Sequence, residues 1–174
     1  QSEDVWVWQT LSDLYEWEGM AADARGVLER GLARLPGDAG LLERLARVAR
    51  AGNDPLAAAA VFASYNEKHP ADALGVWYEA LCRFDAAVGE LLALGAEQAK
   101  LRSEAADQSA ETLATLPAPD AALVAGIEEG FARSEALFRD ARARRPEYET
   151  SSRGYEVMCR DGVGWARYWE RDFP

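Results

Sequence analysis

Residues that could carry out chemistry are sparse in this sequence. The single histidine, His69, precedes Pro70 in the stretch NEKHP, where a solvated turn residue is favoured over a general base. The two cysteines, Cys82 and Cys159, form no CxxC pair, which favours buried free thiols over a disulfide. These few residues do not supply the clustered ligands of a metal site. We therefore predict no catalytic residue, no metal site and no cofactor, and we expect that the chain is not an enzyme.

Charged and glycine-rich stretches give no catalytic pattern either. Glu128 and Glu129 are adjacent, and adjacent helical side chains point about 100° apart, so we interpret them as solvated faces. The stretch RDGVGWAR lacks the spacing of a phosphate-binding loop. The stretch RDARARRP, from Arg139 to Pro146, is the one basic cluster. Positive charge near a helix C-terminus is favourable by itself, and the alternative is a docking site for an acidic motif.

The charge balance excludes several classes of partner. Among 174 residues, 19 are lysine or arginine and 30 are aspartate or glutamate, for a formal charge of −11. This charge opposes binding to nucleic acid or anionic lipid. No apolar run approaches the roughly 20 residues of a membrane span, so we expect no membrane insertion. The sequence identifies no compartment, although a cytoplasmic location is slightly favoured.

A period of 34 residues organises the first part of the chain. Pro36 and Pro70 lie 34 residues apart, and each follows an amphipathic helical pattern. Alanine and leucine are abundant, and the prolines and most glycines fall between the apolar-periodic stretches. These features predict an all-α protein built from repeated helical pairs.

The residues at each position of this period resemble the tetratricopeptide repeat, a unit of two antiparallel helices, A and B. The first unit has Trp8, Leu11, Ser12, Tyr15, Gly19, Ala24, Leu28, Gly31 and Pro36 at the characteristic positions. The second has Leu42, Leu45, Ala46, Ala49, Ala58, Phe62, Tyr65 and Pro70, and it departs from the pattern at Ala49 and Tyr65. The resemblance implies a right-handed superhelical stack of antiparallel helical hairpins.

We predict a single domain over residues 1–174 that comprises four units. Two clear repeats cover 5–38 and 39–72, a degenerate third unit with a long helical hairpin covers 73–147, and a truncated further unit covers 148–174. In the third unit a register slipped by one residue places apolar residues at the packing positions instead of Glu79 and Arg83. Those apolar residues are Trp77, Ala80, Leu81 and Phe84.

The C-terminal half departs from the repeat spacing. A long helix is predicted from Asp85 to Leu116, followed by a helix that Asp120 caps. Small residues predict that the long helix contacts the next one closely: Gly95, Ala96, Ala99, Ala105, Ala106 and Ala110. The last segment looks like a further helix A, with Pro174 at an early helix B position, as if the chain were cut within a repeat. Its aromatic residues would then lose part of their cover: Trp165, Tyr168, Trp169 and Phe173.

The resemblance implies a binding face on the inner, concave wall of the stack. The positions that usually face the ligand in this family are here Trp6, Gln9, Asp13, Glu16, Trp17, Gly40, Glu43, Arg47, Arg50 and Ala51. Trp8 and Tyr15 fall at packing positions instead. We therefore expect a non-catalytic module that binds a partner peptide or helix, one with apolar anchor residues and basic neighbours. It would form part of a larger scaffold or adaptor protein.

Two other functions stay open at this point. The chain could be a structural element that self-assembles through exposed repeat ends or through the long hairpin. It could also regulate or target an enzyme located outside these residues. Capture of acidic chaperone tails is disfavoured, because Gln9 and Asp13 occupy the positions where that branch of the family has lysine and asparagine.

Overall fold

A computed structural model describes residues 2–51, 54–105 and 109–170, and within these ranges the protein is helical and contains no strand. The all-α prediction is confirmed. The helices are α1 (Ser2–Trp17), α2 (Ala21–Arg34), α3 (Ala39–Ala51), α4 (Pro55–Lys68), α5 (Ala73–Glu104), α6 (Ala110–Ala114), α7 (Ala121–Arg144) and α8 (Glu149–Glu170). One turn of 3₁₀ helix, Pro146–Tyr148, precedes α8.

Turn and capping residues explain where the helices begin and end. Gly19 has a φ of 75° after α1, and the N–H of Met20 donates to the carbonyl of Tyr15 at 2.8 Å, as in a Schellman motif. The carboxylate of Asp54 caps α4, which has proline at its first position. Asp120 caps α7 by accepting from the N–H of Ala122 at 2.8 Å, as predicted.

The first four helices pack as a repeat stack. Each helix packs on the next, and α1, α3 and α5 also contact one another in series. Leu28, Leu42, Leu45 and Phe62 are fully buried in the core that these helices share, and Trp8 and Tyr15 pack against its edge. Each hairpin therefore buries its apolar face on its neighbours, which is the source of stability in repeat proteins.

Leu11 is at a predicted packing position but is exposed, whereas the adjacent Ser12, also at a characteristic position, is buried. Val7, Leu11 and Leu14 lie four and three residues apart and are all exposed, so they form one apolar stripe on α1. Leu11 therefore does not contribute to the core.

Helix α5 is buried on two opposite sides. Cys82 joins the core of the first four helices, whereas Ala80 and Phe84 join a second core with α7 and α8. The prediction that Glu79 and Arg83 do not fit a packed interface is wrong for Glu79, which is buried. Its carboxylate accepts from Asn66 Nδ2 and Arg83 Nε, each at 2.9 Å, so its hydrogen bonds offset its loss of water.

The predicted long helix has different ends in the structure. The helix begins at Ala73 rather than at Asp85, because the residues before Asp85 continue it without a break. It ends at Glu104 rather than at Leu116. Beyond Gln98 none of its described side chains is fully buried, so packing does not support a continuation. Ser109 then starts α6 by accepting from the N–H of Thr112 at 3.2 Å.

Helices α5 and α7 run antiparallel, and two close contacts between them lie upstream of the predicted small residues. Ser134 donates to the carbonyl of Ala80 at 2.9 Å, and a Cβ on Gly130 would lie 3.2 Å from that of Ala87. Ala96 and Ala99 are exposed, and Ala106 lies outside the described residues. The antiparallel course brings Ala80 and Ala87, not the later alanines, opposite α7.

Helix α8 packs on α7 and along α5, where its Tyr155 contacts Trp77 and Phe84 in the first half of that helix. A Cβ on Gly162 would lie 2.4 Å from the Phe131 ring, so only glycine allows this approach of α8 to α7. Trp169 lies against Gly95, and the guanidinium carbon of Arg102 is 5.3 Å from the ring centroid of Trp169. The long α5 thus covers Trp169, whereas Trp165 is 56% exposed. The predictions for Phe173 and Pro174 lie outside the described residues.

The division into units of 5–38, 39–72, 73–147 and 148–174 stays a prediction. No helix among the described segments is long and apolar enough to cross a membrane.

Candidate partner-binding face

One side of helices α1, α3 and α5 carries the residues that the sequence predicts as a binding site. We call this surface the A-helix face. Its side chains are Trp6, Gln9, Asp13, Glu16, Trp17, Glu43, Arg44, Arg47, Arg50 and Asp85. Of the predicted residues, the structure connects these directly to a neighbouring helix: Gln9, Asp13, Glu16, Arg47 and Arg50.

Ion pairs join α1 to α3 across this face. Asp13 accepts from Arg44 Nε at 3.1 Å and from Arg47 Nη2 at 2.8 Å. Glu16 accepts two further hydrogen bonds from Arg47. Both carboxylates are therefore already paired within the chain, so they are not free acceptors for basic residues of a partner.

The same pattern continues from α3 to α5. Arg50 Nε donates to Asp85 Oδ2 at 2.6 Å. Asp13 and Arg47 are 34 residues apart, and Arg50 and Asp85 are 35 apart. Equivalent positions of consecutive A helices thus carry opposite charges. The second spacing is one residue longer than the first, in agreement with a register slipped by one residue between α3 and α5.

These contacts shift the ionisation of the paired groups. Partial burial raises the pKa of Asp13, but hydrogen bonds from Arg44 and Arg47 outweigh it and leave this pKa below its ordinary value. The hydrogen bond to Glu16 raises the pKa of Arg47, against the effect of burial. Both shifts favour the charged forms, so the network stays ionised at neutral pH.

The two predicted tryptophans are the most exposed aromatic side chains of α1. Trp6 is 65% exposed and Trp17 is 83% exposed. With Asp13 between them at spacings of seven and four residues, they share one side of the helix. Eleven residues of helix separate them by about 16 Å, which an extended peptide spans with about five residues.

The remaining predicted residues lie between these features. The amide of Gln9 lies over Gly40, where an added Cβ would be 2.5 Å from Gln9 Nε2, so glycine permits the close approach of α1 to α3. Glu43 is exposed and makes no ion pair with any described residue. Burial raises the pKa of Tyr78, and the nearby charge of Glu43 raises it further. Glu43 is thus a carboxylate of this face that no described basic side chain neutralises.

Sequence reasoning missed Arg44, Asp85 and Tyr78. Arg44 and Arg47 have the same three-residue spacing as Asp13 and Glu16, so matching acid and base spacings in consecutive A helices was an available signal. Asp85 lies 35 residues after Arg50, which is the repeat length of 34 plus the one-residue slip. No signal for Tyr78 was available, because its environment depends on how α5 packs on α4.

His69, Glu128 and the two cysteines lie outside the A-helix face. His69 packs its ring 4.6 Å from that of Tyr65. Glu128 is not merely solvated, because it accepts from Arg167 of α8 at 2.7 Å. Among the residues that the structure describes, no group of histidine, cysteine and carboxylate side chains could hold a metal ion. Cys82 and Cys159 are free and buried.

Comparison with known families identifies the repeat. The family model described as Tetratricopeptide repeat matches residues 5–48, which span α1, α2 and most of α3. This segment is similar to the tetratricopeptide repeat, and the match covers about a quarter of the chain. The chain as a whole folds as a tetratricopeptide-like stack of helical hairpins, and the family generally serves as a non-catalytic module for protein interaction. Comparisons with curated proteins and with solved structures found no significant match.

Proposed function

We propose that the chain is a non-enzymatic binding module whose A-helix face holds an extended peptide of a protein partner. The exposure of Trp6 and Trp17 on one side of an ordered helix is the observation that carries this proposal. Tryptophan at an interface contributes a large apolar contact area and a polar N–H.

The charges of the face refine the chemistry of the partner. Because Asp13 and Glu16 are paired with arginines, apolar anchors at the two tryptophans supply most of the binding energy. One basic residue would bind at Glu43, which has no ion-pair partner within the described ranges. We therefore expect a peptide with two apolar side chains about five residues apart and a nearby lysine or arginine.

Selection from a random peptide library on the purified chain tests this proposal. Selected peptides should contain the two apolar residues at that spacing. The variants Trp6→Ala and Trp17→Ala should each weaken their binding by at least about tenfold, the loss typical of an interface hot spot. Trp165→Ala is the matched control, since Trp165 is an exposed tryptophan of α8 outside this face. Equal losses in all three variants would contradict the assignment.

Self-association stays a second prediction, and one observation favours it. The apolar stripe of Val7, Leu11 and Leu14 is exposed on α1 and has no cover within the described residues. A second copy could bury it. Sedimentation velocity across a concentration series measures this directly, and Leu14→Glu should abolish any dimer. A monomer at all concentrations would exclude self-association for this chain.

A further inference from the structure

A cleft between α7 and α8 contains none of the residues of the A-helix face. Its volume is about 440 Å³. We call it the arginine cleft, and it is lined by Arg139, Arg142, Arg153, Glu156, Val157 and Arg160. Two of these arginines belong to the basic cluster for which the sequence left a helix-dipole role and an anion-docking role open.

The charged side chains around the cleft alternate in a continuous chain of ion pairs. Its order is Arg160, Glu135, Arg139, Glu156, Arg142, Glu149 and Arg153. Four arginines against three glutamates leave one positive charge uncompensated. The cleft is therefore locally positive on a protein whose formal charge is −11.

Most hydrogen-bond donors of these arginines have no acceptor among the residues that the structure describes. A guanidinium carries five N–H donors. Arg139 and Arg160 donate to Glu135, and Arg153 donates to Glu149. Arg142 makes no hydrogen bond with any described residue, although its side chain is only 25% exposed. A ligand that offers several oxygen acceptors would match this surplus of donors.

Glu156, unlike the arginines, requires a hydrogen-bond donor from the ligand. It is only 5% exposed, and its Oε1 is buried without a hydrogen bond to any residue in the described ranges. The nearest charge is Arg142 Nη1 at 3.4 Å. A buried carboxylate oxygen without a donor is destabilising. The ligand that fits therefore combines acceptor oxygens for the arginines with one hydroxyl donor for Glu156.

A protonated phosphate meets both requirements. Inorganic phosphate keeps one proton at neutral pH, and a phosphate monoester keeps one below its second pKa of about 6. Sulfate and carboxylate groups carry no proton at neutral pH and would face Glu156 with repulsion. We propose that the arginine cleft binds a protonated phosphate group, whose oxygens accept from the arginines while its hydroxyl donates to Glu156.

Titration calorimetry of the whole chain at low ionic strength tests the proposal without any variant. Inorganic phosphate should bind at least about tenfold more tightly than sulfate, because only phosphate can donate to the carboxylate; one such hydrogen bond corresponds to about this factor. No binding of phosphate at millimolar concentration, or equal binding of the two anions, would overturn it.

Two variants locate the site. Glu156→Gln should bring the affinities for phosphate and sulfate within about threefold of each other, because an amide can donate to either anion. Arg142→Met should weaken phosphate binding by at least about tenfold. Arg133→Met is the matched control, since Arg133 is an exposed arginine of α7 that does not line the cleft. Loss of phosphate binding in the control as large as in Arg142→Met would overturn the assignment.

A phosphoserine peptide distinguishes the two sources of this group. If the phosphate belongs to a partner side chain, the peptide at pH 6 should bind more tightly than inorganic phosphate. If the ligand is free phosphate, inorganic phosphate should bind more tightly than the peptide. Either order of affinities supports binding of a protonated phosphate group in the arginine cleft. The Trp6→Ala and Trp17→Ala variants should bind phosphate normally, so this proposal and the proposed function can fail separately.

Discussion

The hydroxyl of Tyr65 donates a hydrogen bond to Asp72 Oδ2 at 2.7 Å. The same hydroxyl accepts from the N–H of Gly37 at 2.8 Å, where φ is 78°. Tyr65 therefore connects the turn after α2 to the turn after α4. Asp72 in turn caps α5 by accepting from the N–H of Leu74 at 2.9 Å. The tyrosine that departs from the repeat pattern thus holds successive hairpins in register.

Removing this hydroxyl should destabilise the fold modestly. We expect Tyr65→Phe to lower the free energy of unfolding by about 1 kcal/mol, because Gly37 and Asp72 lose a shared partner. Urea unfolding measures the effect as a lower midpoint with an unchanged slope. Tyr15→Phe is the control, since the Tyr15 hydroxyl makes no hydrogen bond within the described part of the chain. Equal midpoints for Tyr65→Phe and wild type would show that the bridge contributes nothing.

The same residue predicts a loss of stability in alkali. Burial and the neighbouring Asp72 raise the pKa of Tyr65 above its ordinary value of 10.0. The folded state therefore binds this proton more tightly than the unfolded state, and the stabilisation is complete below pH 10 and declines as the pH rises further. Unfolding free energies measured between pH 8 and 11.5 should fall more steeply for wild type than for Tyr65→Phe. Parallel curves would refute this.

The pairing of Asp13 with Arg47 should be weak but measurable. Both side chains are about half exposed, so a double-mutant cycle with Asp13→Asn and Arg47→Gln should give a coupling of about 0.5 kcal/mol at pH 7. The lowered pKa of Asp13 means that its contribution is present above its ordinary pKa of 3.8 and is lost as the pH falls through the folded-state value. The coupling should therefore disappear near pH 2, and a coupling that persists there would not be electrostatic.

Glu79 offers a larger effect. Glu79→Leu would leave Asn66 and Arg83 without their acceptor in a buried interface, so we expect it to destabilise the protein by about 3 kcal/mol. Glu79→Gln keeps one acceptor oxygen and should cost about 1 kcal/mol. Glu90→Gln on the exposed side of the same helix is the control. Thermal or urea unfolding gives the ranking, and a leucine variant as stable as wild type would mean that the hydrogen bonds are dispensable.

Both thiols should be unreactive in the folded protein. Burial raises the pKa of Cys82 to about 12 and that of Cys159 to about 11. At pH 8 the thiolate fraction is therefore very small, and the side chains are also inaccessible. A chromogenic disulfide reagent should titrate no thiol in the native protein and two in denaturant. Rapid reaction of either native thiol would show that its helix opens readily.

Local pattern was sufficient to predict the helical pairs of the first half. The resemblance to the tetratricopeptide repeat implied that Leu28, Leu42, Leu45 and Phe62 lie in the core, and the 34-residue period that supports this resemblance can be read along the chain without any tertiary contact. The same reasoning predicted that Trp8 would pack and Trp6 would be exposed. Asp120 and Gly19 were recognisable because capping and turn preferences are also local.

Tertiary structure decided the features that depend on contacts between distant residues. The sequence contains Asp13, Arg47, Arg50 and Asp85, but their pairing follows from how α1, α3 and α5 align. The burial of Glu79 and the end of α5 at Glu104 were likewise determined by which neighbours α5 contacts, not by its own helix propensity. Ionisable groups bury only where a specific partner compensates the loss of water, and the chain order does not reveal that partner.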